Sequence, residues 1–229
     1  MPLLYKMLHN SITVPIAGNE SVQPFGNSNL YRNMAKRPLD ILCVLVLLPL
    51  ALPLLLLLAL LVASDGKNPL YRQQRVGKDG RMFSMWKLRT MVPNAHTLLE
   101  GHLRRNPAAR LEWEQNQKLR RDPRITPLGH ILRKSSLDEL PQLWNVLKGE
   151  MSLIGPRPML PEQQSIYPGK AYYKLRPGIT GLWQVSERNK CTFSGRADFD
   201  TAYDEQLSFR TDMAVLIATF GVVLRGTGC

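Results

Sequence analysis

The chain has 229 residues, with 30 Lys and Arg against 18 Asp and Glu, a formal charge of +12 and a hydrophobic content of 44%. That length fits one globular domain with one added element; the apolar share excludes a wholly disordered protein, and the basic excess calls for an anionic partner such as nucleic acid, lipid headgroups or a phosphorylated substrate. Cys43, Cys191 and Cys229 are too few and too scattered for a disulfide framework or a zinc site, and His9, His96, His102 and His130 lack metal-ligand spacing, so a reducing, cytosolic setting without a transition metal is expected.

Residues 1–35 are rich in Asn, Ser, Gly and Pro and lack the short apolar core of a signal peptide, which reads as a flexible N-terminal arm. Residues 36–65 follow as a membrane helix. From Ile41 to Ala63 no residue is charged, a stretch of about 35 Å if helical and long enough for a hydrocarbon core of about 30 Å. A single spanning helix is one reading. Pro49 and Pro53 sit in its middle, where each removes a backbone hydrogen bond and favours a bend. Basic residues flank it on both sides, Arg32, Lys36 and Arg37 before and Lys67, Arg72 and Arg75 after. A helix that bends near Leu52-Pro53 and returns keeps both sets on the cytoplasmic side, and this re-entrant reading is favoured. The opened backbone at depth is its cost.

Residues 66–229 follow as the soluble domain, expected to be mixed α/β, mostly α. YRQQRVGKDGRMFSMWKLRTM reads as a short β-hairpin turning at Asp79-Gly80, with Lys87 and Arg89 on one face of its second arm. Residues 94–120 read as helix broken near Asn106-Pro107, and a short helix ends near Arg133. In DELPQLWNVLKG, Leu140, Leu143, Trp144 and Leu147 recur at helical spacing, Pro141 belongs near the start, and Gly149 is the stop. Gly155-Pro156-Arg157-Pro158 holds one arginine between two prolines, and Arg176 precedes a Pro-Gly turn that favours positive φ at Gly178. Met213 to Leu224 is too short to span and is either a core helix or a helix at the membrane surface.

No nucleotide-cradling glycine loop or serine hydrolase elbow occurs, and nucleic-acid binding rests on charge alone and is not expected. The candidate chemistry lies at Asp138 and Glu139. Ser136-x-x-Glu139 matches a capping box, so the pair alone reads first as a helix cap. The same place keeps a carboxylate ionised and exposed, fit to attack phosphorus if cations offset the repulsion. Lys87, Arg133, Arg157 and Arg188 are candidate cations, and Asp138 and Glu139 are candidate ligands of Mg2+.

KRPLD before the bent apolar run, the hairpin, SLDELPQLWNVLKGEMSLIGPRP and RPGITGLWQV occur in one order over about residues 33–229. Together they closely resemble the bacterial sugar transferase family, the monotopic polyprenol-phosphate phosphoglycosyl transferases. The resemblance implies transfer of a sugar-1-phosphate from a UDP-sugar to undecaprenyl phosphate with release of UMP, at the cytoplasmic face of the bacterial inner membrane. It puts the nucleophile on Asp138, its metal-holding neighbour on Glu139, active-site cations on Lys87, Arg133, Arg157 and Arg188, and the helix-breaking proline on Pro53; Arg176, before its Pro-Gly turn, is a further candidate for substrate binding. The short form is most similar to the exopolysaccharide-initiating members that transfer galactose phosphate, with glucose open. A homodimer and contact with downstream glycosyltransferases are further expectations. Leu52 stands where members often have Ser, and Glu187 where many have Gly, which weakens the assignment of Arg188. Two competing readings stand beside it: a basic membrane-anchored scaffold without catalysis, and an enzyme that transfers sugar without phosphate.

Overall fold

The computed structural model describes residues 30–116, 119–186 and 193–224; Arg188, Glu187 and most of the N-terminal arm lie outside them. A turn of π-helix, Tyr31–Ala35, runs directly into α1, Lys36–Val62. Leu, Ala and Val supply apolar side chains but no polar group to pair a loose backbone, so the run satisfies its N–H and C=O groups as helix. Both prolines lie inside α1, and the chain stays helical through Leu52-Pro53, without the interruption expected there. Val44, Leu58 and Val62 are buried, and Leu48, Ala51 and Leu55 between them are half-buried, one stripe at helical spacing. Pro49 and Pro53 are exposed on the other side. Each ring there presses on the carbonyl four residues back, which opens the outer face and favours curvature toward the body. The stretch Tyr31–Asp65 is long and apolar enough to cross a membrane by length and composition.

β1, Leu70–Val76, and β2, Met82–Leu88, pair antiparallel from Leu70↔Leu88 to Val76↔Met82. Their turn needs two left-handed residues and has them in Asp79 (φ 56) and Gly80 (φ 74), as the Asp-Gly pair foretold. α2, Ala95–Arg105, and α3, Pro107–Asn116, are separated at Asn106, whose Oδ1 accepts the Ala109 N–H at 3.1 Å. α4, Pro127–Ser135, starts with proline in its first turn and Thr126 Oγ1 accepting from Gly129 N at 3.0 Å. A 3₁₀ turn, Leu137–Glu139, leads to α5, Gln142–Lys148, which Gly149 ends at φ 84.

A second sheet, not anticipated from the sequence, follows. β3, Ser152–Ile154, and β4, Gly178–Thr180, pair in parallel, connected through a 3₁₀ turn at Pro161–Ile166 and α6, Ala171–Lys174. Three-residue strands carry no readable periodicity, so nothing in the sequence marks them. Gly178 does not take the positive φ expected of a Pro-Gly turn. Glycine is needed there for close approach: a Cβ would fall 2.1 Å from Gly155 N. α7, Leu182–Ser186, α8, Arg196–Gln206, and α9, Phe209–Leu224, complete the described chain.

The main core draws Val44 from α1, Phe83 and Met85 from β2, Val146 from α5, Leu153 and Ile154 from β3, Tyr203 from α8 and Val215 from α9. α9 is apolar on both sides: Val215 is buried, while Ile217, Phe220 and Val223 are exposed. α5 buries Gln142, Asn145 and Val146 and leaves Trp144 58% exposed, so its inner face is more polar than the leucine spacing suggested.

Both ends of α1 are fastened to this one body. At its start, Arg37 donates to the carbonyls of Val146 and Leu147 at 2.6 and 3.0 Å, cation against the C-terminus of α5. Lys36 Nζ lies 2.7 Å from Asp212, and Asp40 accepts from Ser152 Oγ at 2.6 Å. At its end, Leu58 and Val62 pack with Leu88 and Leu132, and Arg89 donates to Val62 O at 3.0 Å and pairs with Asp65 at 2.7 Å. Much of the basic flank is therefore engaged inside the protein. Even Tyr31 and Arg32, read from the sequence as arm, are held, by Asp212 and Asp204.

Candidate active site

Three elements meet at the carboxylate pair. The 3₁₀ turn supplies Asp138 and Glu139, β2 supplies Lys87 near its end, and the Gly-Pro-Arg-Pro segment after β3 supplies Arg157. The turn is set by Ser136, which takes a left-handed conformation (φ 57) at the end of α4 and reverses the chain. Its side chain makes no capping bond. The capping box expected from Ser136 and Glu139 is thus not formed; the side-chain cap of this region is Thr126, one helix earlier.

Lys87 Nζ stands 2.7 Å from Glu139 Oε1 and 3.7 Å from Asp138 Oδ2, and Arg157 Nη2 is 4.0 Å from Glu139 Oε1. Lys87 is aimed here because β2 is stitched to α5. Asn145, fully buried, accepts from Trp86 N at 3.1 Å through Oδ1 and donates to Ser84 O at 2.8 Å through Nδ2. A side-chain amide thereby does for the strand what a neighbouring strand would.

The expectation that Asp138 is exposed is wrong. It is only 6% exposed, and burial pushes its carboxyl above the ordinary range. Lys87 opposes that most strongly, Glu139 adds to it by like charge, and Arg133 and Arg157 oppose it. Burial pushes the Arg133 guanidinium below its ordinary value, opposed by Asp138 and Asp122, and it stays charged. Its Nε donates to Thr90 Oγ1 at 2.9 Å, and the contact is close because Gly129 lets α4 approach Thr90.

The structure therefore gathers Asp138, Glu139, Lys87, Arg157 and Arg133. Arg176 serves elsewhere in the fold, donating through Nε to Gly149 O at 3.0 Å beside the α5 terminus that also holds Arg37. Two contributors went unread in the sequence. Arg75 of β1, buried and with its guanidinium pushed down to about 10 by burial and then by Arg157, donates to Pro158 O at 3.1 Å and so braces the segment bearing Arg157. Thr90 orients Arg133. For Arg75 the available signal was its place in the strand beside Lys87's; for Thr90 there was none.

A cleft of about 260 Å³ opens at Glu139, next to Asp138 in the chain, and is lined in part by Glu139, Arg157, Leu140, Ile179 and Val222. Chemically, a buried carboxylate ringed by cations and served by a partly apolar cleft suits attack on an anionic electrophile, with the cations offsetting repulsion.

The sequence profile of the family described as bacterial sugar transferase matches residues 31–226. The chain is 42% identical over 211 residues to the exopolysaccharide production protein ExoY of Rhizobium meliloti, covering 91% of each chain. It is 48% identical over 195 residues to the UDP-galactose-lipid carrier transferase of Erwinia amylovora. It is 46% identical over 195 residues to the undecaprenyl-phosphate galactose phosphotransferase of Salmonella typhimurium. Those two alignments take in 84% of this chain and 41% of the relative, so the chain spans about two fifths of their length.

Proposed function

The chain belongs to the bacterial sugar transferase family, and from that premise we propose that it moves a hexose-1-phosphate, galactose first, from a UDP-sugar to undecaprenyl phosphate. The observation that carries the reading is the convergence of Lys87 on both carboxylates, with Arg157 and Arg133 beside them. Relatives named for galactose, a lipid carrier and exopolysaccharide production support the substrates and the role in starting exopolysaccharide assembly.

In the first half-reaction a carboxylate oxygen of Asp138 bonds to the sugar-bearing phosphorus. The bond from that phosphorus to the bridging oxygen breaks, and UMP leaves with the electron pair. In the second, a phosphate oxygen of the lipid attacks the same phosphorus, the acyl-phosphate bond breaks, and Asp138 returns as carboxylate. Lys87, Arg133 and Arg157 hold the phosphates and lower the cost of bringing anion to anion. Burial withholds Asp138 from water, which protects an acyl phosphate from hydrolysis.

Magnesium fits this donor set. Asp138 and Glu139 are hard oxygen donors, which suit an ion that keeps waters and shares itself with substrate phosphates. Asp138 and Glu139 would hold it, and when bound it supplies positive charge to the diphosphate.

The fastening of both ends of α1 to one body supports a re-entrant, monotopic arrangement, with the enzyme on the cytoplasmic face of the inner membrane. Asp138→Asn tests the chemistry: with UDP-galactose it should retain its fold, form no phosphosugar adduct by intact mass and release no UMP. Normal turnover by Asp138→Asn would end the covalent scheme, and release of UDP would replace it with direct glycosyl transfer.

A further inference from the structure

The cleft beside the pair has three walls. Leu140 and Leu143 come from the start of α5, Ile179 and Val185 from β4 and α7, and Val222 and Val223 from α9. Glu139 and Arg157 also line it, so it is continuous with the candidate active site. Three of the hydroxyls in its walls are engaged within the protein, while Ser136 and the buried Gln184 Oε1 are the polar atoms left without a bond there among the described residues. Thr180 and Thr219 bond to each other at 2.7 Å, Thr219 Oγ1 donates to Val215 O at 2.7 Å, and Ser135 Oγ donates to Ile131 O at 2.8 Å. What the walls offer a visitor is therefore largely apolar surface. A sugar or a nucleoside, each needing hydrogen bonds, is a poor match for it.

Val223 is at once part of the cleft lining and one of the exposed apolar residues of α9, in line with Ile217 and Phe220. The cleft thus opens beside a surface suited to lipid and leads to the cationic surroundings of the carboxylates.

We propose that this cleft seats the first isoprene units of the acceptor lipid, delivering its phosphate to Arg157 and the carboxylate pair while the rest of the chain remains in the bilayer. The proposal rests on the transferase reading and deepens it by giving the two substrates different routes: the lipid enters along α9, and the sugar nucleotide does not use this groove. At 260 Å³ the cleft has room for the head of the lipid chain and not for its length.

The test uses the full chain in lipid nanodiscs, with prenyl phosphates of increasing chain length as acceptors and UDP-galactose as donor. Val222→Trp narrows the α9 wall. It should raise KM about tenfold for an acceptor with three isoprene units, with little change for a single-isoprene acceptor, since the lost contacts are apolar and lie beyond the first unit. Equal KM changes for both acceptors, or none, would overturn the proposal. A three-isoprene phosphate bearing a photoreactive terminal group provides a readout on the unaltered protein. Labelling of the peptides carrying Ile179–Val185 or Thr219–Val223 supports the assignment, and labelling confined to other peptides refutes it. Absence of any UMP burst in the unaltered protein would instead sink the transferase reading, with the labelled position still deciding where the lipid sits.

Discussion

Replacing Lys87 with Met keeps the length and most of the volume of the side chain and removes its charge. At 3.7 Å from Asp138 Oδ2, and at an effective dielectric of about 20, that charge is worth about 4 kcal/mol to the ionised carboxylate. Arg133 and Arg157 remain and recover part of it. If half the attraction is lost for good, about 2 kcal/mol, the ionised fraction of Asp138 below its titration falls about thirtyfold and the first half-reaction slows with it; loss of the whole would approach a thousandfold. The pH dependence has a fixed sign. Burial already raises the Asp138 carboxyl above its ordinary range, and Lys87 is the largest influence pulling it down. Lys87→Met must therefore move the acidic limb of the rate profile to higher pH, because more of the nucleophile is protonated at any given pH. Single-turnover release of UMP from UDP-galactose, followed across pH without acceptor, measures both effects, and a thermal melt checks the fold. A variant that reacts within about threefold of the unaltered protein, with its acidic limb unmoved, would show that Lys87 does not govern Asp138.

Leu132→Ala removes a side chain that is 1% exposed and packed among Leu58, Val62 and Leu88; it should cost about 2–5 kcal/mol, seen as a lowered melting temperature, and an unchanged melting temperature would refute the packing argument. Asp200 concerns stability and pH. Burial, opposed by the Tyr167 hydrogen bond and by Arg196, pushes its carboxyl up to about 7. Since the folded value lies above the unfolded one, its contribution is full below about pH 4 and is lost as pH rises through about 7. Asp200→Asn should therefore show a melting temperature nearly level between about pH 5 and about pH 8, where the unaltered protein declines; parallel declines would count against a buried acid at this position.

Local signals made much of the fold legible. The Asp79-Gly80 turn, the break at Asn106-Pro107 and the stop at Gly149 each depend on what one or two residues can do with φ, and each stands where the sequence placed it. The site was legible as a set of residue types, and Asp138, Glu139, Lys87, Arg133 and Arg157 do assemble. Its environment was not. That Asp138 is buried follows from the packing of β2 and α4 around a 3₁₀ turn, which no periodicity over a few residues encodes. Nothing local pointed to Asn145, because its partners lie on a strand 59 and 61 residues away. Arg176 was singled out by its place before a Pro-Gly turn, and its Nε donates to Gly149 O. Ser136 suggested a cap because the capping pattern ignores φ, and a left-handed Ser136 cannot present its hydroxyl to the following turn in that way.

The fastening of α1 has a consequence for how the chain reaches its native state. Tyr31 and Lys36 find their partner in Asp212, 181 and 176 residues further on, and Arg32 finds its own in Asp204. During synthesis the apolar helix is made early and must wait, with these groups unsatisfied, until α8 and α9 have left the ribosome. The loop to be closed is nearly the whole chain, an entropic cost met late in folding. Interruption of synthesis before Asp204 would leave α1 without these partners and a core lacking Val215, a species open to proteolysis. Completion of the last two helices supplies these partners, and it also builds the α9 wall of the cleft. A chain that cannot finish folding therefore also lacks a finished groove.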